Sequence, residues 1–265
     1  MSITVGFIGC GNMGGALARA VAKTVGGANV FLADTQTQKR DALAAELGAT
    51  AKTAEQIAAL ADLVVLGIKP QVAKDAIAPL QAALASRATP ALLVTMLAGT
   101  STAQIAAYAG GEYPTVRIMP NLPAAIGEGM ILYTTAHLAA AHKDAFLHAF
   151  AKAGTLDEIP ETMMDAAAAL TGCGPAFVAM FVEALADGAT ACGVPREKAQ
   201  LYAEKTLLGT AKYLLETGMH PAVLKDAVCS PGGTTIAGVE ALEDGAFRAT
   251  AASAVAAAFE KTKRL

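Results

Sequence analysis

The chain has 265 residues, is 54% hydrophobic and only 16% charged, and carries a net charge of −3. That length suits one large domain or two ordinary ones, and the apolar content excludes a disordered chain. No basic stripe with interleaved aromatics is present, which excludes nucleic acid as the expected partner.

So little charge is poor cover for a lone monomer and points to a subunit interface. Cys10, Cys173, Cys192 and Cys229 form no CxxC pair, so neither a metal site nor a disulfide framework is expected. Reduced thiols in the cytosol are the simplest reading. The apolar start lacks the basic n-region of a signal peptide, and none is expected.

In chain order, "ITVGFIG" reads as a β-branched strand and "NMGGALARAVAKT" as a helix. "NVFLAD" is a second strand, and "TQKRDALAAELG" a helix ended by Gly48. "ADLVVLGIKP" is a strand stopped by Pro70, and "AKDAIAPLQAALAS" a helix despite Pro79. "PALLVTMLAG" is a strand, "TAQIAAYAG" a helix ended by two glycines, and "PTVRIMP" and "GEGMILYTT" complete the set. Alternating strands and helices predict βαβ units and a largely parallel sheet, and strands as continuously apolar as "DLVVLGI" predict a sheet covered on both faces.

From about Glu161 the pattern changes to helices punctuated by Gly and Pro: "MMDAAAALTG", "GPAFVAMFVEALADGATACG", "PREKAQLYAEKTLLGTAKYLLETG", "HPAVLKDAVC" and "GGTTIAGVEALEDG". The predicted division is residues 1–159 and 160–265, within "AGTLDEIPE". Ala166 to Val182 carry no charge, but the run falls short of the ~20 residues of a membrane span. Gly172, Gly174 and Pro175 are expected to break it, so a helix buried in protein is predicted and no membrane contact.

Gly9, Gly11 and Gly14 follow a predicted strand and open a predicted helix, the setting that gives a GxGxxG pattern its meaning. Gly9 permits a tight turn, Gly11 lets backbone approach a pyrophosphate, and Gly14 lets the helix pack closely on the strand. A dinucleotide is therefore expected at the helix N-terminus. Asp34 ends the second strand, where a carboxylate often binds a ribose 2′-OH and disfavours a 2′-phosphate. Lys39 and Arg40 can offset that repulsion, and Asp34 is also placed to cap the next helix, so the choice between NADPH and NADH stays open.

A second glycine loop occurs in "VCSPGGTTIAGVEALE". Ser230, Pro231, Gly232, Gly233, Thr234 and Thr235 lead into a helix, which reads either as a cradle for a substrate carboxylate or as an ordinary helix cap.

"GFIGCGNMG", the "GIKP" of Gly67 to Pro70, the "GCGPAFV" of Gly172 to Val178 and above all "SPGGTTIAGVEALE" resemble Δ1-pyrroline-5-carboxylate reductases over nearly the whole chain. The resemblance implies an α/β fold: an N-terminal Rossmann-type doubly wound sheet followed by an all-helical dimerisation domain. It implies reduction of pyrroline-5-carboxylate to L-proline with NADPH or NADH, the last step of proline biosynthesis. It also implies a homodimer with intertwined helices, the "SPGGTT" loop near the partner's Rossmann domain, and leaves a ring of dimers open.

Residue by residue, the resemblance places Gly9, Cys10, Gly11, Asn12, Met13 and Gly14 in the cofactor loop. Ile68, Lys69 and Pro70 fall near the nicotinamide, and Leu97 and Ala98 in the loop after the next strand. Ser230, Gly232, Gly233 and Thr234 match the carboxylate loop, and Thr235 the threonine that hydrogen-bonds the ring nitrogen. Glu161 matches an acidic substrate contact. Some members carry Asn where this chain has Ala227.

The chemistry is consistent with that family. An imine can enter already protonated, so no strong base is required, and His137, His142, His148 and His220 are scattered. His142 and His148 are expected to be solvated. A β-hydroxyacid dehydrogenase also opens with "GFIGxGxMG" but uses a lysine where Val178 falls here, and no Lys or Arg occurs between Lys152 and Arg196. A dinucleotide-binding protein without catalysis is the other alternative; the intact "SPGGTT" loop argues against it.

Overall fold

The computed structural model describes residues 3–262. Eight strands form one sheet: β1 Val5–Ile8, β2 Val30–Ala33, β3 Thr50–Ala51, β4 Leu63–Leu66, β5 Leu92–Thr95, β6 Thr115–Met119, β7 Gly129–Ala136 and β8 Gly154–Glu158. Their spatial order is β3-β2-β1-β4-β5-β6-β7-β8. Neighbours from β3 to β6 are parallel, β7 turns back antiparallel to β6, and β8 runs parallel to β7.

Side chains alternate across this sheet and build two cores. Val5, Phe7, Leu63, Val65, Leu92, Val94, Val116 and Ile118 face Leu17 and Val21 of the helix Asn12–Val25 and Phe146 and Phe150 of the helix Ala140–Phe150. Ile8, Val64, Leu66 and Leu93 face Ile57, Ile77, Leu80, Leu84 and Ile105 on the other side. Both faces are covered, which is why these strands carry no polar alternation.

Four sequence expectations are corrected. Pro79 does divide its helix, into Ala73–Ile77, a 3-10 turn Ala78–Leu80, and Gln81–Ala85. The strands β3 and β8 were not anticipated; both are short edge strands, and "GTLDE" of β8 is polar enough to read as a linker. The Ala-rich helix Phe247–Thr262 was likewise unforeseen, because alanine at seven of its sixteen positions leaves no distinct apolar stripe to detect. His142, expected to be solvated, is half-buried, and its Nδ1 lies buried without a hydrogen-bond partner.

The chain packs as two compact units. Among the described residues one comprises 3–173 together with 258–262, and the other Gly174–Ala257. In the second unit the helices Gly174–Ala191 and Arg196–Thr217 share a small core of Ala186, Ala199 and Ala203, with Val182, Ala189 and Val194 against it. Phe181 and Phe247 stack with ring centroids 5.4 Å apart.

The uncharged run is divided where expected: one helix ends at Thr171 with Gly172 as its C-cap, and the next begins at Gly174. Gly172 keeps helical angles (φ −77°, ψ −41°), and Pro175 sits second in the helix that begins at Gly174, where no intrahelical N–H is lost. Glu161–Ala191 is thus a nearly continuous helical stretch, long and apolar enough to cross a membrane by length and composition, and only 6% of its most apolar window is buried within the chain. Val178, Met180, Leu208 and Leu215 are among the large apolar side chains left exposed on the second unit.

Candidate functional site

Four of the segments expected at the cofactor lie side by side along one edge of the sheet. Ile8 pairs with Ala33 on one side and Leu66 on the other, and Leu66 pairs with Thr95. The residues that follow these strands, Gly9, Asp34, Gly67 and Met96, therefore emerge in a row at the carboxyl ends. The strand order reverses between β1 and β4, and ligands of open α/β sheets bind in the crevice outside such a switch point.

The glycine turn is built for close approach. Gly9 adopts φ +103°, and its N–H donates to Ala33 O at 2.8 Å. A Cβ on Gly14 would lie 2.2 Å from Gly9 O, so the helix can press against the turn only without a side chain there. Gly14→Ala is expected to destabilise the protein by about 1–3 kcal/mol, as overpacking does, read from the midpoint of urea unfolding. An unchanged midpoint would show that the helix can shift at no cost.

Gly11 differs. Its φ of −64° suits any residue, and a Cβ there would meet nothing within 4 Å. The fold makes no demand for glycine at this position, whereas a backbone-bound diphosphate does. Gly11 is also the N-cap of the helix Asn12–Val25, with no side-chain cap and no acidic residue in the first turn, so the amides of Asn12, Met13 and Gly14 and the positive end of the dipole face outward. A dinucleotide fits this cradle.

Asp34 has a definite task. Its Oδ2 accepts from the Cys10 N–H at 2.6 Å and its Oδ1 from the Gln36 N–H at 2.7 Å. It clamps the glycine turn to the end of β2, while the N-cap of the next helix is Gln36. Cys10 is buried, and burial first, then the Asp34 charge, pushes its thiol up to about 11. It is a neutral packing group at physiological pH and no nucleophile.

Along the same edge Ile68 is half-buried, and Lys69 and Pro70 are exposed. Leu97 is fully buried in the second core, so it supports its turn from beneath, while Ala98 beside it is accessible.

Glu161 is engaged inside the first unit. Oε1 accepts from the Thr102 N–H at 2.9 Å and from Arg117 Nη1 at 3.2 Å, and Oε2 accepts from the Thr102 hydroxyl at 3.0 Å. Arg117 also donates to Asp165 at 2.9 Å, and its side chain is only 4% exposed. Sequence reasoning missed Arg117; a charged residue inside the otherwise apolar strand "TVRIM" is the signal that could have found it.

The second glycine loop belongs to the other compact unit. Gly232 adopts φ +65°, the Gly233 N–H donates to Ser230 O at 3.0 Å, and Gly233 is the N-cap of the helix Thr234–Asp244 without a side-chain cap. The first-turn amides of Thr234 and Thr235 thus face out beside the exposed Ser230. Thr235 is half-buried, and among the described residues its hydroxyl takes no hydrogen bond.

This arrangement is shared with known proteins. The family model "Pyrroline-5-carboxylate reductase dimerisation" matches residues 161–265, and "NADP oxidoreductase coenzyme F420-dependent" matches residues 4–99. Pyrroline-5-carboxylate reductases of Arabidopsis thaliana and Escherichia coli are 39% and 35% identical, each over 100% of this chain and over 96% and 99% of their own lengths. Among solved structures, the Plasmodium falciparum pyrroline carboxylate reductase with NADP bound superposes with a TM-score of 0.86 at 30% identity, covering 99% of this chain and 97% of that one. The Coxiella burnetii pyrroline-5-carboxylate reductase gives 0.89 at 29% identity, covering 100% and 98%. With one sheet edge organised around an open glycine turn, a second uncapped helix behind "SPGGTT", and full-length identity at this level, the chain belongs to the pyrroline-5-carboxylate reductase family.

Proposed function

We propose that this protein reduces the imine bond of L-1-pyrroline-5-carboxylate to give L-proline, with NADPH or NADH as hydride donor, as the last step of proline biosynthesis. The observation that carries this reading is the presence of two uncapped helix N-termini behind glycine turns, at Gly11 and Gly233, each free to take an anion. A dinucleotide has a diphosphate for the first, and the substrate has a carboxylate for the second.

When bound, the nicotinamide cofactor supplies the hydride; the protein's part is to bind, orient and exclude water. The amides of Asn12, Met13 and Gly14 hold the diphosphate, with Asp34 keeping the turn in place through the Cys10 N–H. Ile68, Lys69, Pro70 and Ala98, on the same edge, bound the nicotinamide end. Ser230, Gly232, Gly233 and Thr234 receive the substrate carboxylate. The Thr235 hydroxyl hydrogen-bonds the ring nitrogen and steadies it as it becomes an amine. Glu161 is assigned here to holding Thr102 and Arg117, from which its oxygens accept three hydrogen bonds. Among the described residues no group of three His, Cys, Asp or Glu could hold a metal, and the reaction asks for none.

The apolar helices of the second unit are covered, on this reading, by a second copy of the chain rather than by a membrane. The dimerisation match over 161–265 and the exposed Val178, Met180, Leu208 and Leu215 support it. A homodimer is therefore expected by light scattering, with specific activity falling on dilution below the dissociation constant. A soluble monomer of full activity would overturn the interface. The four free cysteines suit the cytoplasm.

The direct test is to mix protein, pyrroline-5-carboxylate and NADPH or NADH and follow the absorbance of the reduced nicotinamide. Substrate-dependent oxidation is expected. Tight cofactor binding without turnover would instead leave a dinucleotide-binding protein.

A further inference from the structure

The turn from Met96 to Ser101 leaves the edge beside the glycine loop; Ser101 at its end is fixed by a capping box with Gln104, its N–H donating to Gln104 Oε1 at 2.8 Å, but the bonds before it are weak. Met96 N–H to Leu66 O, Leu97 N–H to the Thr95 hydroxyl and Thr100 N–H to Leu97 O are all 3.4 Å long. Gly99 adopts φ +68° and is exposed, so the middle of the turn has little to hold it. Two firm anchors flank this middle. Leu97 is sunk in the core, and Thr102 gives both its N–H and its hydroxyl to Glu161 at 2.9 and 3.0 Å.

Glu161 is in turn aimed by Arg117. The guanidinium reaches it from β6, where Arg117 pairs in register with Thr95, the residue just before the turn. Asp165 takes the other end of the fork at 2.9 Å. Arg117 is buried and its Nε–H has no partner. A buried guanidinium with an unpaired donor is a costly way to attach a helix to a sheet, and an apolar side chain would do so at less expense. An apolar side chain could not orient a carboxylate onto two donors of one residue.

We propose that Glu161, held by Arg117, is a positioning residue for the reduction: through Thr102 it fixes the Met96–Ser101 turn and so the seat of the nicotinamide ring. This rests on the reading that Ala98 bounds the nicotinamide end. A slackened turn leaves the diphosphate site untouched, because that site is held separately by Gly9, Gly14 and Asp34. Cofactor affinity is therefore retained while the alignment for hydride transfer is lost.

The test compares wild type with E161Q, T102V and T102S. Steady-state kinetics, NADPH affinity by calorimetry and the fluorescence of bound reduced nicotinamide are measured. E161Q and T102V are expected to lower kcat by about 10- to 100-fold, the scale of a small misplacement of reacting atoms. NADPH affinity and KM for pyrroline-5-carboxylate should stay near wild type, and the nicotinamide fluorescence should change. T102S keeps the hydroxyl and should restore kcat. T102V leaves the Arg117–Glu161 pair intact, so it reports on the turn even where E161Q folds poorly.

Wild-type kcat and fluorescence in both E161Q and T102V would overturn the inference. So would losses that only track a lowered unfolding temperature, with normal kcat per folded molecule. Failure of the wild-type protein to turn over pyrroline-5-carboxylate would overturn the proposed function itself, an outcome distinct from variants that match an active wild type.

Discussion

Gly11→Val is expected to abolish NADPH and NADH binding while leaving the protein folded. A Cβ at Gly11 meets nothing of the chain within 4 Å, and its φ of −64° and ψ of −170° are open to valine. The substitution exchanges a favoured N-cap residue for a poor one, a cost of about 1 kcal/mol. The isopropyl group would stand where the diphosphate must approach the amides of the first helical turn. Calorimetric titration should show no cofactor binding up to ~100 times the wild-type dissociation constant, equivalent to a loss of about 2.7 kcal/mol or more. Circular dichroism should match wild type, and the urea midpoint should fall only slightly. This pattern is the reverse of that expected for Gly14→Ala, which strikes the fold directly. Unchanged NADPH affinity in Gly11→Val would remove the glycine turn from the cofactor site.

Thr235→Ala is expected to lower kcat and kcat/KM together by roughly 10- to 1000-fold, about 1.4–4 kcal/mol of transition-state stabilisation. Thr235 is half-buried at the start of an uncapped helix, and its hydroxyl has no partner in the chain among the described residues. A bond made mainly to the nitrogen as it becomes an amine acts on the transition state more than on the ground state, so KM should move little. Cofactor affinity should be unchanged, because the dinucleotide cradle lies in the other compact unit. Thr235→Ser keeps the hydroxyl and should recover most of the rate. Wild-type kinetics for Thr235→Ala would take this residue out of the mechanism.

Much of this molecule was legible in its sequence, because the relevant physics is local. A β-branched strand, three glycines at set spacing and a helix former after them specify a turn whose backbone must be bare. Apolar runs such as "LVVL" and "LLVT" at helical intervals require a sheet covered on both faces. Gly48 and Gly110 end their helices where the sequence announced, both in the left-handed conformation. The "SPGGTT" stretch likewise announced a helix start, while the absence of a side-chain cap on it was left to the structure.

What only the tertiary structure decided concerns groups distant in sequence that meet across the sheet. Asp34 could equally have faced a ribose or capped a helix; the fold turns it onto the Cys10 amide, 24 positions earlier in the chain. Leu97 and Ala98 are neighbours with the same sequence credentials, and only the packing of the second core sends one inward and leaves the other accessible. Nothing local to Glu161 reveals that Thr102 and Arg117, 59 and 44 residues away, donate to its oxygens. Propensity and spacing act over a few residues and can be read in order; a carboxylate's partner is chosen by whichever donor the fold carries to it.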